Sequence, residues 1–314
     1  MQELKVKSLL PVRLDKYLQQ QFPALGLGRL NKALRENKIK LNGKKQPLST
    51  RVQNGDTIRL FLTDEQLGLA APAGPEFLSA RAPADLVYET DDLLIANKPA
   101  GVPVDGDGPD TLCNRVMRRL YEEGRLPADG YPRLCHRLDT GTSGLVLLAK
   151  NAETERFLTG LIRDRRLRKP YLCVPFGRPE PPAATLRDYL CKDAEKGLVR
   201  VYPSPRPGAR EIITGYETVA VSGRLALLKV DLVTGRTHQI RAHLASIGCP
   251  ILGDSKYGNH AANRELRLKY QALCAWELAF PASISDPRFS HLAGKSFHAP
   301  RPWYYQQVLD GTLH

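Results

Sequence analysis

In residues 136–144, HRLDTGTSG, an acid (Asp139) follows an imidazole (His136) and a guanidinium (Arg137), and the apolar run Leu145–Ala149 begins just afterwards. A carboxylate at the mouth of a hydrophobic element has two uses. It can be one end of a structural ion pair, or a cap for the amides of Thr140, Gly141 and Thr142, which is the commoner case for a lone Asp beside an Arg. It can also be a nucleophile or base where water is excluded and nearby cations favour its ionised form. Three more polar strings interrupt apolar elements and strengthen the second use: NKPAGVPV (97–104), RKPY (168–171) and TGRTHQIRAHL (234–244). They add Lys169, Arg236 and Arg241 as cations and Tyr171 as a ring able to stack on a base. Each string lies at a strand or helix end, where sites are commonly built.

Other chemistries fit less well. Ser143 stands in T-S-G, not in the G-x-S-x-G of a nucleophile elbow. His238 and His243 are five apart without the glutamate of HExxH, so on a helix their rings point to different sides. The six cysteines (113, 135, 173, 191, 249 and 274) form no CxxC pair, which argues against zinc and against a disulfide scaffold and for reduced, mostly buried thiols. No glycine-rich dinucleotide or P-loop fingerprint is present. Neither a metal nor a cofactor is expected.

The 314 residues suggest two domains, and 42% hydrophobic content suffices for a sizeable core. The net charge of +13 points to a polyanionic partner, nucleic acid first and an anionic membrane surface second. That charge is uneven: residues 1–63 hold 13 Lys and Arg against 4 Asp and Glu, the remainder 33 against 29. No apolar run of membrane-spanning length occurs, and MQELKVKSLLPVRLDK lacks the apolar core of a signal peptide, so a cytoplasmic protein is expected. Oligomeric state is not encoded in any visible pattern, and a monomer is the default.

Periodicity predicts helices over 13–22 and 29–37, a hairpin around Asn42-Gly43 and a strand in RVQNGDTIRLF (51–61), which makes residues 1–63 two helices on a small sheet. Residues 64–85, rich in Ala, Pro and Gly, read as a linker. From 86 onward strands mostly follow one another: a hairpin over 86–96, a helix over 111–125, a loop and strand over 134–150, and a helix over 151–167 with Asn151 as N-cap. Then come a strand at RKPYLCVPFG, two strands joined near Ser222-Gly223, a helix after TGRTH ended by Gly248, and a strand at YQALCAWELAF. Regular βαβ alternation is absent, so an α+β fold with a mixed, largely antiparallel sheet and flanking helices is expected over 86–310. In the first domain, Arg29, Lys32, Arg35 and Lys44 cluster on the second helix and the following turn, a nucleic-acid-binding footprint.

With these strings in order, HRLDTGTSGLVLLAK resembles the H-R-L-D-x-x-T-S-G signature of RluA-type pseudouridine synthases. The resemblance runs from residue 86 to about 305 and includes NKPAGVPV, Lys169–Tyr171 and LVTGRTHQIRAHLASIGCPILGDSKYG (232–258). Residues 1–63 resemble the small alpha-L, or S4-like, RNA-binding module that precedes this catalytic domain in the RluC- and RluD-like branches. Arg29, Lys32, Arg35 and Asn42-Gly43-Lys44 fall on that module's RNA-contacting helix and turn. Gly28 stands where the module often has Ser, and Asp105 where relatives commonly carry His.

The resemblance implies the pseudouridine synthase fold and the isomerisation of uridine to its C-glycoside without a cofactor. It makes Asp139 the catalytic carboxylate, acting at C1′, at C6 or on the C2′ proton. It also implies that Tyr171 stacks on the flipped uracil, with a hydroxyl able to take part in the later proton transfer at C5, and that Arg137 fills the vacated space or holds phosphate. Arg241 is the expected partner of Asp139, with Arg236 the second choice; His136, Arg236 and Lys169 are expected RNA contacts, and Lys98-Pro99 shapes the sheet entry or touches RNA backbone. The favoured substrate is 23S ribosomal RNA, with transfer RNA as an alternative. A non-catalytic ribosome-assembly protein on this fold, or a glycosylase using Asp139 with water, are the competing readings.

Overall fold

The computed structural model describes all residues except 1, 9, 70–74, 128, 129, 131, 194–196 and 314. It divides into two compact units, Met1–Glu76 and Phe77–His314.

The first unit contains β1 (Gln2–Lys5), β2 (Val12–Arg13), α1 (Leu14–Gln21), α2 (Leu27–Arg35), β3 (Ile39–Leu41), β4 (Arg51–Val52), β5 (Thr57–Leu60) and α3 (Asp64–Leu67). Leu14, Tyr17 and Leu18 of α1 and Leu30 and Ala33 of α2 are buried, so each helix turns one apolar stripe onto the strands. The sheet order is β1-β5-β3, with β2 and β4 paired separately. The expected hairpin around Asn42-Gly43 is only a turn. Both residues have positive φ, and Leu41 and Lys44 exchange backbone hydrogen bonds. The return leg is a single antiparallel bridge, Leu41 with Lys44, and the strand that pairs along β3 is β5, Ile39 opposite Leu60. In the expected linker, Thr63 and Gln66 form a capping box around α3, and Leu67 is buried against the first unit's core. Residues 70–74 of that segment lie outside the described residues.

The second unit follows with β6 (Asp85–Glu89), β7 (Leu93–Lys98), α4 (Leu112–Glu122), β8 (Arg133–Leu134), β9 (Ser143–Ala149), α5 (Ala152–Arg163) and β10 (Tyr171–Cys173). Next come β11 (Ala183–Asp193), β12 (Leu198–Tyr202), β13 (Arg210–Ser222), β14 (Leu225–Leu232), α6 (Gln239–Ser246), α7 (His260–Glu265), β15 (Leu273–Ala275), β16 (Glu277–Ala279), β17 (Ser296–His298) and α8 (Trp303–Leu309). Ten strands form one sheet in the order β12-β11-β13-β14-β10-β15-β9-β7-β6, with β8 beside β9. Every pairing in it is antiparallel except β15 with β9. β9 is an interior strand between β15 and β7, and its unbroken apolar run, Leu145–Ala149, is wholly buried. Asn151 caps α5 by accepting the Thr154 amide.

Two expectations need correction. YQALCAWELAF makes two strands rather than one: the amides of Trp276 and Glu277 both donate to the Pro170 carbonyl. That two-on-one contact bends the chain as a bulge does, sending β16 away to pair with β17. The long β11–β12 arm was not foreseen; its exposed residues alternate polar and apolar too weakly to stand out from a loop.

Candidate active site

The sheet order brings the polar strings together. Asp139 precedes β9, Tyr171 opens β10 opposite Val230 of β14 and Ala275 of β15, and Arg236–Arg241 follow β14. A cleft of about 1690 Å³ is lined by His136, Arg137, Asp139, Lys169, Tyr171, Arg236, His238 and Arg241, among others.

At its floor Arg241 Nη1 donates to Asp139 Oδ2 at 2.7 Å. Behind it, Arg241 Nε and Nη2 donate to both oxygens of Asp254, at 2.7 and 2.9 Å. The Arg241 side chain is 6% exposed, that of Asp254 0% and that of Asp139 26%, so the acid facing the cleft is the accessible one. Burial opposes charge on Arg241, but Asp254 and Asp139 more than offset it and hold the guanidinium above its ordinary value. Burial likewise works against the Asp254 carboxylate; Arg241 and the Lys256 and Tyr257 amides hold it below the usual range. Asp254 therefore orients Arg241, which in turn holds Asp139. Asp254 was not singled out from sequence, since an Asp after glycine in a polar stretch reads as a turn residue.

The loop carrying Asp139 is pinned from beneath. Lys98 is fully buried, and its Nζ donates to the carbonyls of Val102 (2.7 Å), Thr140 (3.0 Å) and Pro99 (3.1 Å). Three acceptors match the three hydrogens of an ammonium. Burial lowers Lys98 to about 7, while the Asp139 charge pulls the other way. The expectation that Lys98 touches RNA backbone is thus corrected: its charge faces the underside of the loop. Thr142 donates its amide to the Asp139 carbonyl at 3.0 Å, and Gln271 donates to the Thr142 hydroxyl at 3.0 Å. Gly141 packs so closely that an added Cβ would lie 2.2 Å from the Gln271 amide oxygen.

Tyr171 is 6% exposed, and burial, with Asp139 nearby, pushes its phenol well above the ordinary value. Arg137 is exposed and makes a two-pronged ion pair with Asp105, Nη2–Oδ1 2.6 Å and Nη1–Oδ2 2.9 Å. Arg236 is exposed on the cleft wall and its backbone amide donates to Gln239 Oε1; Arg241, not Arg236, is the residue bonded to Asp139. His136 turns inward: Nε2 accepts the Leu147 amide at 3.2 Å, and burial with Lys169 nearby lowers its pKa to about 3. Burial also lowers Lys169. His243 bonds Thr214 and Asp188, away from His238. Among the described residues no group of three or more His, Cys, Asp or Glu is placed to hold a metal. In the first unit Arg29, Lys32, Arg35 and Lys44 are exposed.

Residues 92–246 match the family model described as RNA pseudouridylate synthase. The chain is 33% identical over 272 residues to "Ribosomal large subunit pseudouridine synthase C" of Rickettsia bellii, covering 82% of this chain and 86% of that one. It is also 33% identical over 319 residues to an uncharacterized RNA pseudouridine synthase of Mycoplasma pneumoniae, covering 98% and 97%. The human protein "RNA Pseudouridylate Synthase Domain Containing 4" shares the fold, with a TM-score of 0.58 at 23% identity over 72% of this chain and 92% of that one.

Proposed function

Since the chain belongs to the RluA-type RNA pseudouridine synthases, we propose that it isomerises specific uridines of 23S ribosomal RNA and that Asp139 is its catalytic carboxylate. The observation that carries the assignment of Asp139 is the 2.7 Å bond from a guanidinium whose other edge is locked on a fully buried acid. That arrangement presents one carboxylate at the bottom of a cleft wide enough for a nucleotide turned out of its stack.

The remaining roles follow from what each side chain faces. Tyr171 stacks on the extruded uracil; its raised pKa keeps the phenol protonated, which suits a stacking platform better than a base. Arg137, exposed at the lip, fills the space the uridine leaves. Its pair with Asp105 is largely exposed and costs at most about 1 kcal/mol to open. Arg236 and Lys169 meet the phosphates and sugar edges on the cleft wall, while His136, locked on β9, shapes that wall. The first unit is an S4-like module whose Arg29, Lys32, Arg35 and Lys44 bind RNA backbone. The preference for large-subunit ribosomal RNA rests on the names of the curated relatives.

Pseudouridine mapping on ribosomal and transfer RNA tests this, with wild-type protein and Asp139→Ala. A 23S uridine converted by the first and untouched by the second is expected. Conversion in transfer RNA alone would replace the substrate, and an active Asp139→Ala would overturn the role of the carboxylate.

A further inference from the structure

None of the roles above uses His238, although its ring lies in the same cleft. This residue precedes α6 in a left-handed backbone conformation, φ +55°. Such a conformation costs a non-glycine residue about 1 kcal/mol or more and persists where its surroundings over-determine it. It turns the imidazole toward the Asp139 loop, so that Nε2 lies 3.9 Å from Asp139 Oδ2 and Nδ1 lies 2.9 Å from Tyr257 Oη. The tautomer follows from counting hydrogens. Tyr257 Oη accepts the Val199 amide at 2.9 Å, and among the described residues its own hydrogen has no acceptor other than His238 Nδ1. A nitrogen that accepts carries no hydrogen, so in the neutral ring the hydrogen is on Nε2, on the Asp139 side. Burial, with Arg241 and Lys256 adding to it, lowers the His238 pKa against the pull of Asp139 and Asp254, which favours the neutral ring. At 3.9 Å Nε2 is too far from Asp139 for a hydrogen bond, and it makes none to any other described residue.

We propose that the His238 Nε2–H group donates a hydrogen bond to the target uridine, at an oxygen beside the bond being cleaved, with Tyr257 as the positioning residue that fixes the tautomer. The inference rests on Asp139 being the carboxylate at the reacting sugar. Two oxygens qualify: uracil O2, on the carbon next to N1, and the 2′-hydroxyl, on the carbon next to C1′. As the N1–C1′ bond lengthens, negative charge spreads from N1 onto O2. A fixed neutral donor there stabilises the transition state more than the ground state.

The test compares His238→Gln with His238→Met in the full chain. The two side chains are similar in size, and only the first keeps an N–H near the Nε2 position. Single-turnover pseudouridine formation is followed on a synthetic RNA carrying the mapped uridine, beside RNA affinity and thermal melting. His238→Met is expected to slow the step by about 100-fold, as loss of a donor at developing charge does, with affinity changed by under about threefold. His238→Gln is expected to recover most of the rate, and Tyr257→Phe to lose less than His238→Met. Equal rates for Gln and Met, or a wild-type rate for Met, would overturn the donor role. Substituting 2′-deoxyuridine separates the acceptors: the Gln–Met gap closes if the 2′-hydroxyl is the partner and stays open if it is O2. An Asp139→Ala control that remains active would remove the premise and overturn both readings. An inactive control with an unimpaired His238→Met would overturn this one alone.

Discussion

Arg241 donates to acids from all three of its guanidinium nitrogens, two of them to Asp254 and one to Asp139. Asp254 matters because it never meets solvent. Removing one member of a buried charge pair typically costs about 3 kcal/mol, since the other is left desolvated and unpaired. Asp254→Asn is therefore expected to lower stability by about that amount in urea denaturation and to slow pseudouridine formation with little change in RNA affinity; an unchanged rate would mean that Arg241 needs no such support. Lys98 supplies a pH dependence. Its folded-state value of about 7 lies below the ordinary 10.5. Between those limits the unfolded chain keeps a proton that the folded chain has lost, so stability contributed by this group rises with pH there, by up to about 1.4 kcal/mol per unit. Lys98→Met removes that slope. Urea unfolding of both proteins at several pH values between about 7 and about 9 checks it, and parallel profiles would sink it.

At the scale of elements, the site depends on one parallel pairing inside an otherwise antiparallel sheet. β15 runs alongside the start of β9, Cys274 opposite Ser143 and Ala275 opposite Gly144, and this places the Gln271 and Asp139 loops side by side. The fit leaves no room at Gly144. Its φ is +110°, and a Cβ there would sit 2.2 Å from the Ala275 carbonyl oxygen. Gly144→Ala combines a disfavoured backbone with a backbone clash, so where Gly→Ala at a compatible site stabilises by about 0.4–1 kcal/mol, here a loss of more than about 1 kcal/mol is expected. Thermal melting and activity should fall together. A stable but inactive protein would show that the loop, rather than the strand, had moved.

For the whole molecule, the uneven charge makes a separable prediction. Replacing Arg29, Lys32 and Arg35 by Ala in the full chain removes three exposed cations from the first unit. If they meet phosphates, RNA affinity falls and the slope of log affinity against log salt drops by about 2 to 3. The single-turnover rate at saturating RNA should stay within about threefold. An unchanged salt slope would take these three cations out of RNA capture and leave it to other basic residues, 33 of which lie in the second unit.

Sequence alone determined whatever depends on local order. Asn151 before an amphipathic stretch marked the start of α5, Gly248 marked the end of α6, and the apolar run after Ser143 marked a strand. The strings around Asp139, Tyr171 and Arg241 likewise stood out as chemistry, because polar residues interrupting apolar runs are costly unless used. Tertiary structure decided the pairings. That Arg241 rather than Arg236 reaches Asp139 across 102 residues depends on β14, β10, β15 and β9 lying side by side. That Asp254 stands behind Arg241, and that Lys98 faces three carbonyls instead of RNA, depends on burial. No periodicity reports burial for a single polar residue at the end of an element. The same limit hid the bend at Trp276, where a carbonyl from a distant segment, Pro170, takes two successive amides. Local signals announce elements, but long-range contacts choose which of their ends meet.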